Sequence, residues 1–220
     1  KRREAAKTLG ESIAAELASL AMGRARIVVD VAPIAAPASD DASSDSIEDG
    51  VIVPWGDGGR ARLTRTGIDR VELMIAPNPG EEPRPLRRIA SGGELSRALL
   101  AVKRVLASTG PAGMYVFDEV DAGVGGAVAE AIGRKIADVA RHHQVLCITH
   151  LAQIAAFADV HFSVSKHEEA GRTRSEVKRV AGKARTEELA RMLGGATVTA
   201  TTRKAADEMI RASRRAADHA

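Results

Sequence analysis

Two adjacent carboxylates follow an apolar segment near the middle of the chain. Asp118 and Glu119 come directly after residues 114–117 (MYVF), a run that predicts a buried strand of a parallel sheet. Open α/β sheets bind ligands at the carboxyl ends of their strands. We therefore expect Asp118 to hold Mg2+ through water, and Glu119 to orient or deprotonate a water molecule that attacks a γ-phosphate. By position alone, an ordinary solvated loop would carry the same pair of residues.

A histidine is predicted at the same edge of the sheet. Residues 145–148 (VLCI) indicate a second buried strand, and residues 128–139 place apolar side chains at helical spacing before it. Strand, helix and strand predict a right-handed crossover with parallel strands, so His150 would end beside Asp118 and Glu119. An imidazole there can contact the γ-phosphate and sense its loss. The alternative is a polar residue with ordinary local hydrogen bonds.

The neighbouring histidines and the single cysteine predict no further chemistry. His142 and His143 precede the second strand and are interpreted as surface residues. Cys147 lies within an apolar run and is interpreted as a small buried hydrophobe. One cysteine excludes a disulfide framework, and Cys147 with His150 lacks the second ligand pair of a metal site.

Two glycines stand at the predicted start of a helix in residues 91–97 (SGGELSR). Ser91 followed by Glu94 is a capping box, and apolar residues then recur at helical spacing. Free N–H groups at a helix start bind anions, and Gly92 and Gly93 lack the Cβ that would hold a phosphate away. The Ser91 hydroxyl can either cap the helix or donate to a phosphate oxygen. We expect a nucleotide-binding segment formed by Ser91, Gly92, Gly93 and Glu94.

A phosphate-binding loop of the form G-x-x-x-x-G-K-[ST] does not occur in the sequence. Gly182 and Lys183 come nearest, but Val177 stands in place of the first glycine and Ala184 in place of the Ser or Thr. Because that loop is what grips the phosphates, the acidic pair, the histidine and the glycines would form only part of a nucleotide site.

Composition bounds the class of protein. The 220 residues are 45% hydrophobic but only 2% aromatic, which predicts an aliphatic core in one or two domains. No run approaches the roughly 18 consecutive apolar residues of a membrane span, and no signal sequence opens the chain. We expect a soluble, cytoplasmic protein that does not act in a membrane.

The basic residues are concentrated in patches. The net charge is +3, and residues 172–191 carry seven basic residues against three acidic ones. Such a patch can meet the phosphate backbone of DNA without sequence preference, although a solvated surface has the same composition. The scarcity of aromatic residues argues against base-stacking platforms for single strands.

The remaining pattern predicts the other elements. Residues 1–22 form a helix with one apolar stripe, the stub of a coiled coil, and residues 32–50 form a flexible loop. The other predictions are a strand at 27–31, antiparallel β structure within 51–76, a hairpin pairing 160–164 with 173–180, and helices at 186–193 and 202–217.

The motifs together carry a family resemblance. Residues 91–97, 115–121 (YVFDEVD) and 147–150 (CITH) resemble, in that order, the signature, Walker B and switch-histidine elements of an ABC-type ATPase head. Longer stretches are similar to the RecN family of bacterial DNA repair proteins. These are 89–97 (IASGGELSR), 116–126 (VFDEVDAGVGG), 149–155 (THLAQIA), 67–69 (GID), 78–81 (NPGE) and 188–195 (ELARMLGG). The similarity covers nearly the whole chain except residues 32–50.

The resemblance implies an architecture. Proteins of this family, relatives of the structural-maintenance-of-chromosomes (SMC) ATPases, build an α/β head from the two ends of one polypeptide joined by a long antiparallel coiled coil. Residues 1–22 would be the end of the coiled-coil arm, and residues 23–220 the C-terminal lobe of the head, with a parallel sheet core and an antiparallel portion. The missing phosphate loop would belong to the N-terminal half of the same head.

The resemblance also implies a function, with ATP and Mg2+ as cofactors. Ser91, Gly92 and Gly93 would contact ATP held by a second head, so that ATP is sandwiched in a homodimer. Asp118, Glu119 and His150 would serve the site on their own head. The chain would be an ATPase only when completed by its N-terminal half. Further implied features are sequence-nonspecific DNA binding, a cytoplasmic, nucleoid-associated location, and a role in double-strand break repair and recombination.

Two other functions stay open on the sequence. An ABC transporter subunit is disfavoured, because Val120 and Asp121 replace the usual Pro-Thr and no permease-coupling segment is evident. Gly125 stands where transporter ATPases carry Asp, a departure interpreted as a trait of the RecN family. A non-hydrolysing DNA-binding or scaffold module would use only the basic surface. An upstream reading frame with a phosphate-binding loop followed by long heptads would distinguish the RecN-type ATPase head from the transporter subunit and from the scaffold module.

Overall fold

The computed structural model describes residues 1–36, 50–169, 172–195 and 197–218. These residues form two compact units. Residues 1–14 and 24–89 make the first unit, and residues 15–23 and 90–220 make the second. The predicted division into an arm and a lobe at residue 22 concerns the longer protein and stays a prediction.

The chain begins with helix α1, Arg2–Leu17, which continues into a π-helical turn, Ala18–Met22. The helix predicted over residues 1–22 is therefore confirmed, with its final turn distorted. Ala21 adopts a positive φ of 58°, a conformation that breaks regular helical hydrogen bonding. Ile13 and Leu17 are fully buried, as the apolar stripe predicted.

The first unit is antiparallel β structure. Its strands are β1 (Arg26–Pro33), β2 (Val51–Trp55), β3 (Gly59–Leu63), β4 (Asp69–Ala76) and β5 (Arg84–Pro85). One sheet has the order β1-β4-β5, and β2 pairs with β3 in a hairpin. The predicted antiparallel arrangement is confirmed, but β3 and β5 were not predicted because arginine, glycine and proline obscure their alternation. Most of the predicted loop, residues 37–49, lies outside the described residues.

The second unit contains the predicted crossover. Helix α2 (Gly92–Val105) precedes strand β6 (Met114–Phe117), helix α3 (Gly126–Ala140) and strand β7 (Gln144–Cys147). β6 and β7 are parallel, and Phe117 lies opposite Cys147. The α/β class, with parallel and antiparallel portions, is therefore confirmed. The matched register brings the residues that follow the two strands to one edge of the sheet.

Helices and a hairpin complete the second unit. The short helix α4 (Ala152–Ala155) is followed by β8 (His161–Glu169) and β9 (Arg172–Val180), which pair as the predicted antiparallel hairpin. Helices α5 (Gly182–Gly194) and α6 (Ala200–Asp218) are both longer than predicted. Small and aliphatic side chains from α4, α5 and α6 form a hydrophobic core: Ala152, Ala156, Leu189, Ala190, Ala206 and Ile210.

The two central strands are less buried than predicted. Phe117 is buried, but the other face of the β6–β7 pair exposes apolar side chains: Met114 (57% exposed), Val116 (58%), Leu146 (45%) and Ile148 (55%). Parallel sheets are normally covered on both faces. The prediction of two buried strands is thus wrong for this chain. Apolar residues show that a strand face is suited to burial, but they do not show whether this chain supplies the segments that cover it.

The surface position predicted for His143 is also wrong. Its ring is buried, with Nδ1 accepting the Gly113 N–H at 3.0 Å and Nε2 lying 3.0 Å from the Ala107 carbonyl oxygen. The Nε2 atom must carry the hydrogen in this arrangement. His143 joins the end of α2 to the start of β6, a tertiary role that its position before a strand does not reveal. Among the described residues, no helix is long and apolar enough to cross a bilayer.

Candidate functional site

The predicted nucleotide-binding segment forms the start of α2. Ser91 has an extended backbone, and its hydroxyl oxygen accepts the Glu94 N–H at a long 3.4 Å. The capping role of Ser91 is therefore confirmed, and its contact with a phosphate stays a prediction. Glu94 lies in the first helical turn, where a carboxylate is favoured by the helix dipole. The remaining N–H groups of this turn are suited to binding an anion.

The two glycines of this segment occupy different environments. Gly92 is exposed, and a Cβ there would meet only the Glu119 carboxylate. Gly93 is buried, and a Cβ there would lie 2.8 Å from the Ala122 Cβ and 3.3 Å from the Glu119 carbonyl oxygen. The helix therefore needs glycine at position 93 to pack closely, whereas position 92 is open to a ligand.

The two predicted carboxylates lie in a turn between β6 and α3, here called the acidic turn (residues 118–125). Asp118 and Glu119 are both exposed, and the Glu119 N–H donates to Asp118 Oδ1 at 2.9 Å. Glu119 has a φ of +56°, a left-handed conformation that a residue other than glycine seldom adopts. Such strained residues cluster at functional sites, where surrounding contacts impose the conformation.

Side chains of α2 hold the acidic turn in place. The Ser96 hydroxyl donates to the Asp118 carbonyl oxygen at 2.7 Å, and the buried Arg97 guanidinium donates to the Ala122 carbonyl oxygen at 2.9 Å. Burial lowers the pKa of Arg97, and the nearby Glu94 carboxylate opposes that shift. The start of α2 and the acidic turn are therefore joined by hydrogen bonds at two points.

Asp121 connects the acidic turn to the loop after β7. Its carboxylate oxygen Oδ2 accepts the Thr149 hydroxyl at 2.6 Å and the His150 backbone N–H at 3.0 Å. The same oxygen lies 3.0 Å from Nδ1 of the His150 ring. Asp121 is buried, whereas the His150 side chain is 74% exposed. The loops that follow the two parallel strands are thus hydrogen-bonded to each other.

The structure brings the predicted site residues to one region of the second unit. Asp118, Glu119 and His150 follow neighbouring parallel strands, as predicted, and the start of α2 lies against Glu119 at Gly92. Four further side chains flank the predicted residues without a local pattern that indicates their role: Ser96, Arg97, Asp121 and Thr149. Only tertiary contacts show that these four side chains join the three segments.

No cluster of three or more His, Cys, Asp or Glu side chains suited to a metal occurs among the described residues. Asp118 is thus the single predicted metal ligand, and its exposure at a strand end fits a cation held partly by other groups. Mg2+ usually keeps several waters and binds through one or two carboxylates together with substrate phosphates. The residues present fit that mode of binding rather than a metal site made entirely of protein ligands.

Cys147 ends strand β7 near the same edge. Burial, together with the nearby charges of Asp121 and Asp118, raises the pKa of its thiol from 9.0 to about 12. The thiolate is the reactive form, so the thiol is inert at neutral pH. The interpretation of Cys147 as a small hydrophobe without catalytic chemistry agrees with this environment.

Curated proteins similar to the chain share one name. The chain is 44% identical over 214 residues to the DNA repair protein RecN of Streptomyces coelicolor, and equally so to that of Mycobacterium leprae. Each of these matches covers 97% of the chain and 35% of the relative. RecN of Bacillus subtilis is 39% identical over 210 residues, which are 96% of the chain and 34% of the relative. The chain thus spans about a third of their length and matches their C-terminal part. No family model matches.

Solved structures similar to the chain include SMC head domains. The Smc head domain with a coiled coil and joint from Pyrococcus yayanosii has a TM-score of 0.47 at 19% identity, covering 83% of the chain and 28% of that structure. The SMC head domain from Thermotoga maritima has a TM-score of 0.37 at 22% identity, covering 81% and 49% respectively. Likenesses at these TM-scores support no inference about the chain.

Proposed function

Since the chain belongs to the RecN family of DNA repair proteins in the segment that it spans, we propose that it is the C-terminal lobe of a RecN-type ATPase head. The observation that carries this proposal is the arrangement at one sheet edge, where Asp118, Glu119 and His150 follow two parallel strands beside the glycine start of α2. We also propose a role in DNA repair and a cytoplasmic, nucleoid-associated location; the name of the relatives, DNA repair protein RecN, supports the repair role.

The first half of the proposed mechanism uses the strand-end residues. Asp118 would hold Mg2+ through water on the nucleotide of its own head. The cation, when bound, neutralises charge on the phosphates. Glu119 orients and deprotonates the attacking water, and its backbone conformation is imposed by the acidic turn rather than by its own preference. His150 contacts the γ-phosphate from the adjacent strand end.

The second half uses the start of α2. Ser91, Gly92, Gly93 and Glu94 face ATP bound to a second head, so that two heads sandwich the nucleotide as a homodimer. The free N–H groups of the first turn and the exposed position of Gly92 support an approach by a phosphate.

The missing phosphate loop belongs, in this proposal, to the N-terminal half of the same head. The exposed apolar face of the β6–β7 pair supports this, because a two-stranded parallel sheet needs further cover. Contiguous apolar side chains at a surface mark an interaction site. The side chains that the N-terminal half would cover are Met114, Val116, Leu146 and Ile148.

DNA is the proposed partner of the basic surface. Part of the basic segment 172–191 is already engaged, because Arg185 is buried against the Ala155 and Ala156 carbonyls and Arg191 pairs with Glu188 at 2.7 Å. The exposed basic side chains of this segment can meet phosphates without reading sequence; they include Arg172, Lys178, Arg179 and Lys183. The proposed interaction weakens steeply with salt, so a salt-insensitive association with duplex DNA would contradict it.

Steady-state ATP hydrolysis tests the proposed function. We expect no appreciable turnover from the chain alone and clear turnover when it is joined to the N-terminal half. Because a positioned base contributes about 10²–10⁴-fold to a rate, Glu119→Gln should lower kcat at least about 100-fold. Glu130→Gln is the matched control, since Glu130 lies exposed on α3 in an i,i+4 pair with Arg134. Unchanged turnover in Glu119→Gln would show that Glu119 is not the base. Absence of turnover from the joined halves would instead favour the non-hydrolysing scaffold.

A further inference from the structure

We propose that Asp121 is the positioning residue of His150, fixing both the orientation and the tautomer of its ring. This inference rests on the proposed function, in which His150 contacts the nucleotide. The side chain of Asp121 is only 6% exposed and that of His150 is 74% exposed. A buried, anchored group therefore holds an accessible one that would otherwise move freely.

The geometry of the contact specifies the ring orientation. Asp121 Oδ2 accepts the backbone N–H of His150 and lies 3.0 Å from its Nδ1 atom. Two points of attachment on one residue restrict both its backbone and its side-chain torsions. Thr149 adds a third donor at 2.6 Å, and its own hydroxyl oxygen accepts the Leu151 N–H at 3.0 Å. The carboxylate thus organises the whole loop that carries the histidine.

The chemistry of the contact specifies the tautomer. Nδ1 of His150 lies 3.0 Å from Asp121 Oδ2. An ionised carboxylate only accepts hydrogen bonds, so Nδ1 can bond to it only when Nδ1 carries a hydrogen. The hydrogen bond at one ring nitrogen determines the role of the other, and Nε2 is left for the nucleotide. His143 shows the opposite arrangement in the same chain, because its Nδ1 accepts the Gly113 N–H and its Nε2 carries the hydrogen.

The position of Asp121 also links His150 to the rest of the site. Asp121 belongs to the acidic turn, which Ser96 holds at the Asp118 carbonyl and Arg97 holds at the Ala122 carbonyl. Both α2 and His150 are therefore hydrogen-bonded to the acidic turn. The start of α2 and the histidine, proposed to serve nucleotides on two different heads, are connected through one buried carboxylate.

Nitrogen NMR of the chain, labelled with 15N in the histidine rings, tests the contact without any need for ATPase activity. Spectra are recorded at a pH where the rings are neutral, and His150→Gln assigns the signal. We expect the Nδ1–H tautomer at His150 and the Nε2–H tautomer at His143. Asp121→Asn and Asp121→Ala should both shift His150 to a mixture of tautomers while His143 stays unchanged, which shows an intact fold.

Matched variants sharpen this measurement. Thr149→Val removes a donor to Asp121 but not the ring contact, so His150 should keep the Nδ1–H tautomer. Asp207→Asn removes an exposed carboxylate of α6 and should change nothing. A wild-type His150 in the Nε2–H or mixed state would overturn the proposal, as would a tautomer unaffected by both Asp121 variants. If Asp121→Ala fails to fold, the isosteric Asp121→Asn carries the test.

A double-mutant cycle in the completed head then tests the role in turnover. Partners that orient a functional histidine contribute about 10–100-fold at metal sites, and we expect Asp121→Asn to lower kcat by at least about tenfold with a smaller effect on KM. Because Asp121 acts through His150, adding Asp121→Asn to His150→Gln should cause no further loss. Multiplying effects would refute the positioning role. A completed head without ATPase activity would instead refute the proposed function and leave the NMR result standing.

Discussion

Alanine at the two adjacent glycines of α2 should have opposite effects on stability. Neither glycine has a positive φ, so alanine is conformationally acceptable at both, and each substitution gains up to about 1 kcal/mol from helix propensity. At position 92 the new Cβ meets only the end of the flexible Glu119 side chain, which can rotate away. We expect Gly92→Ala to be neutral or to stabilise the fold by about 0.5 kcal/mol.

At position 93 the surroundings cannot yield in the same way. The new Cβ would lie 2.8 Å from the Ala122 Cβ and 3.3 Å from the Glu119 carbonyl oxygen, both parts of the acidic turn. Overpacking of this kind costs about 1–3 kcal/mol, which exceeds the propensity gain. Gly93→Ala should therefore lower the free energy of unfolding by about 1–2 kcal/mol and displace α2 from the turn.

Urea denaturation followed by far-ultraviolet circular dichroism measures this difference. Fluorescence is unsuitable, because the single tryptophan, Trp55, lies in the first unit. A lower midpoint for Gly93→Ala than for Gly92→Ala, at equal slope, is the expected result. Equal midpoints, or a more stable Gly93→Ala, would refute the packing argument. Loss of ATPase activity in the stable Gly92→Ala would then reflect either lost nucleotide contact or displacement of the Glu119 carboxylate, rather than misfolding.

Three further predictions concern groups other than the nucleotide-facing residues. The pKa of the Cys147 thiol is raised from 9.0 to about 12 in the folded chain. At pH 8 the thiol should therefore react with iodoacetamide about 10³-fold more slowly in the folded chain than after denaturation. Similar rates would contradict the assigned environment. Burial lowers the pKa of His161 in the folded chain, so the unfolded chain binds a proton that the folded chain does not. The free energy of unfolding should therefore fall as the pH drops below about 6.5. In denaturation curves, His161→Gln should reduce this dependence of the free energy of unfolding on pH. The Glu16 carboxylate accepts a hydrogen bond from Arg104 at 2.7 Å and pairs with Lys135. Glu16→Ala should lower the free energy of unfolding, measured in urea, by about 1.5–3 kcal/mol. A change near zero would show that this network is dispensable.

The crossover and the location of the site were predictable because local patterns determine them. Apolar runs of strand length, separated by helical spacing, specify β6, α3 and β7, and the ends of parallel strands meet at one edge. The exposure of Val116 and Leu146 was not predictable. A strand has the same apolar residues whether the segment that packs against it belongs to this chain or to another. The role of Asp121 depends on a contact 28 residues away at Thr149, which no local pattern encodes. His143 was misplaced for the same reason.

The central claim is that this chain carries part of an ATP site that a phosphate loop and a second head complete. The most direct test is the mass of the completed head bearing Glu119→Gln, measured by light scattering with and without ATP and Mg2+. We predict a monomer without nucleotide and a dimer with ATP, because ATP binds but is not hydrolysed. Gly92→Asp in the same protein should abolish the dimer, since a carboxylate there repels the partner's phosphates. A completed Glu119→Gln head that binds ATP and stays monomeric would contradict the account.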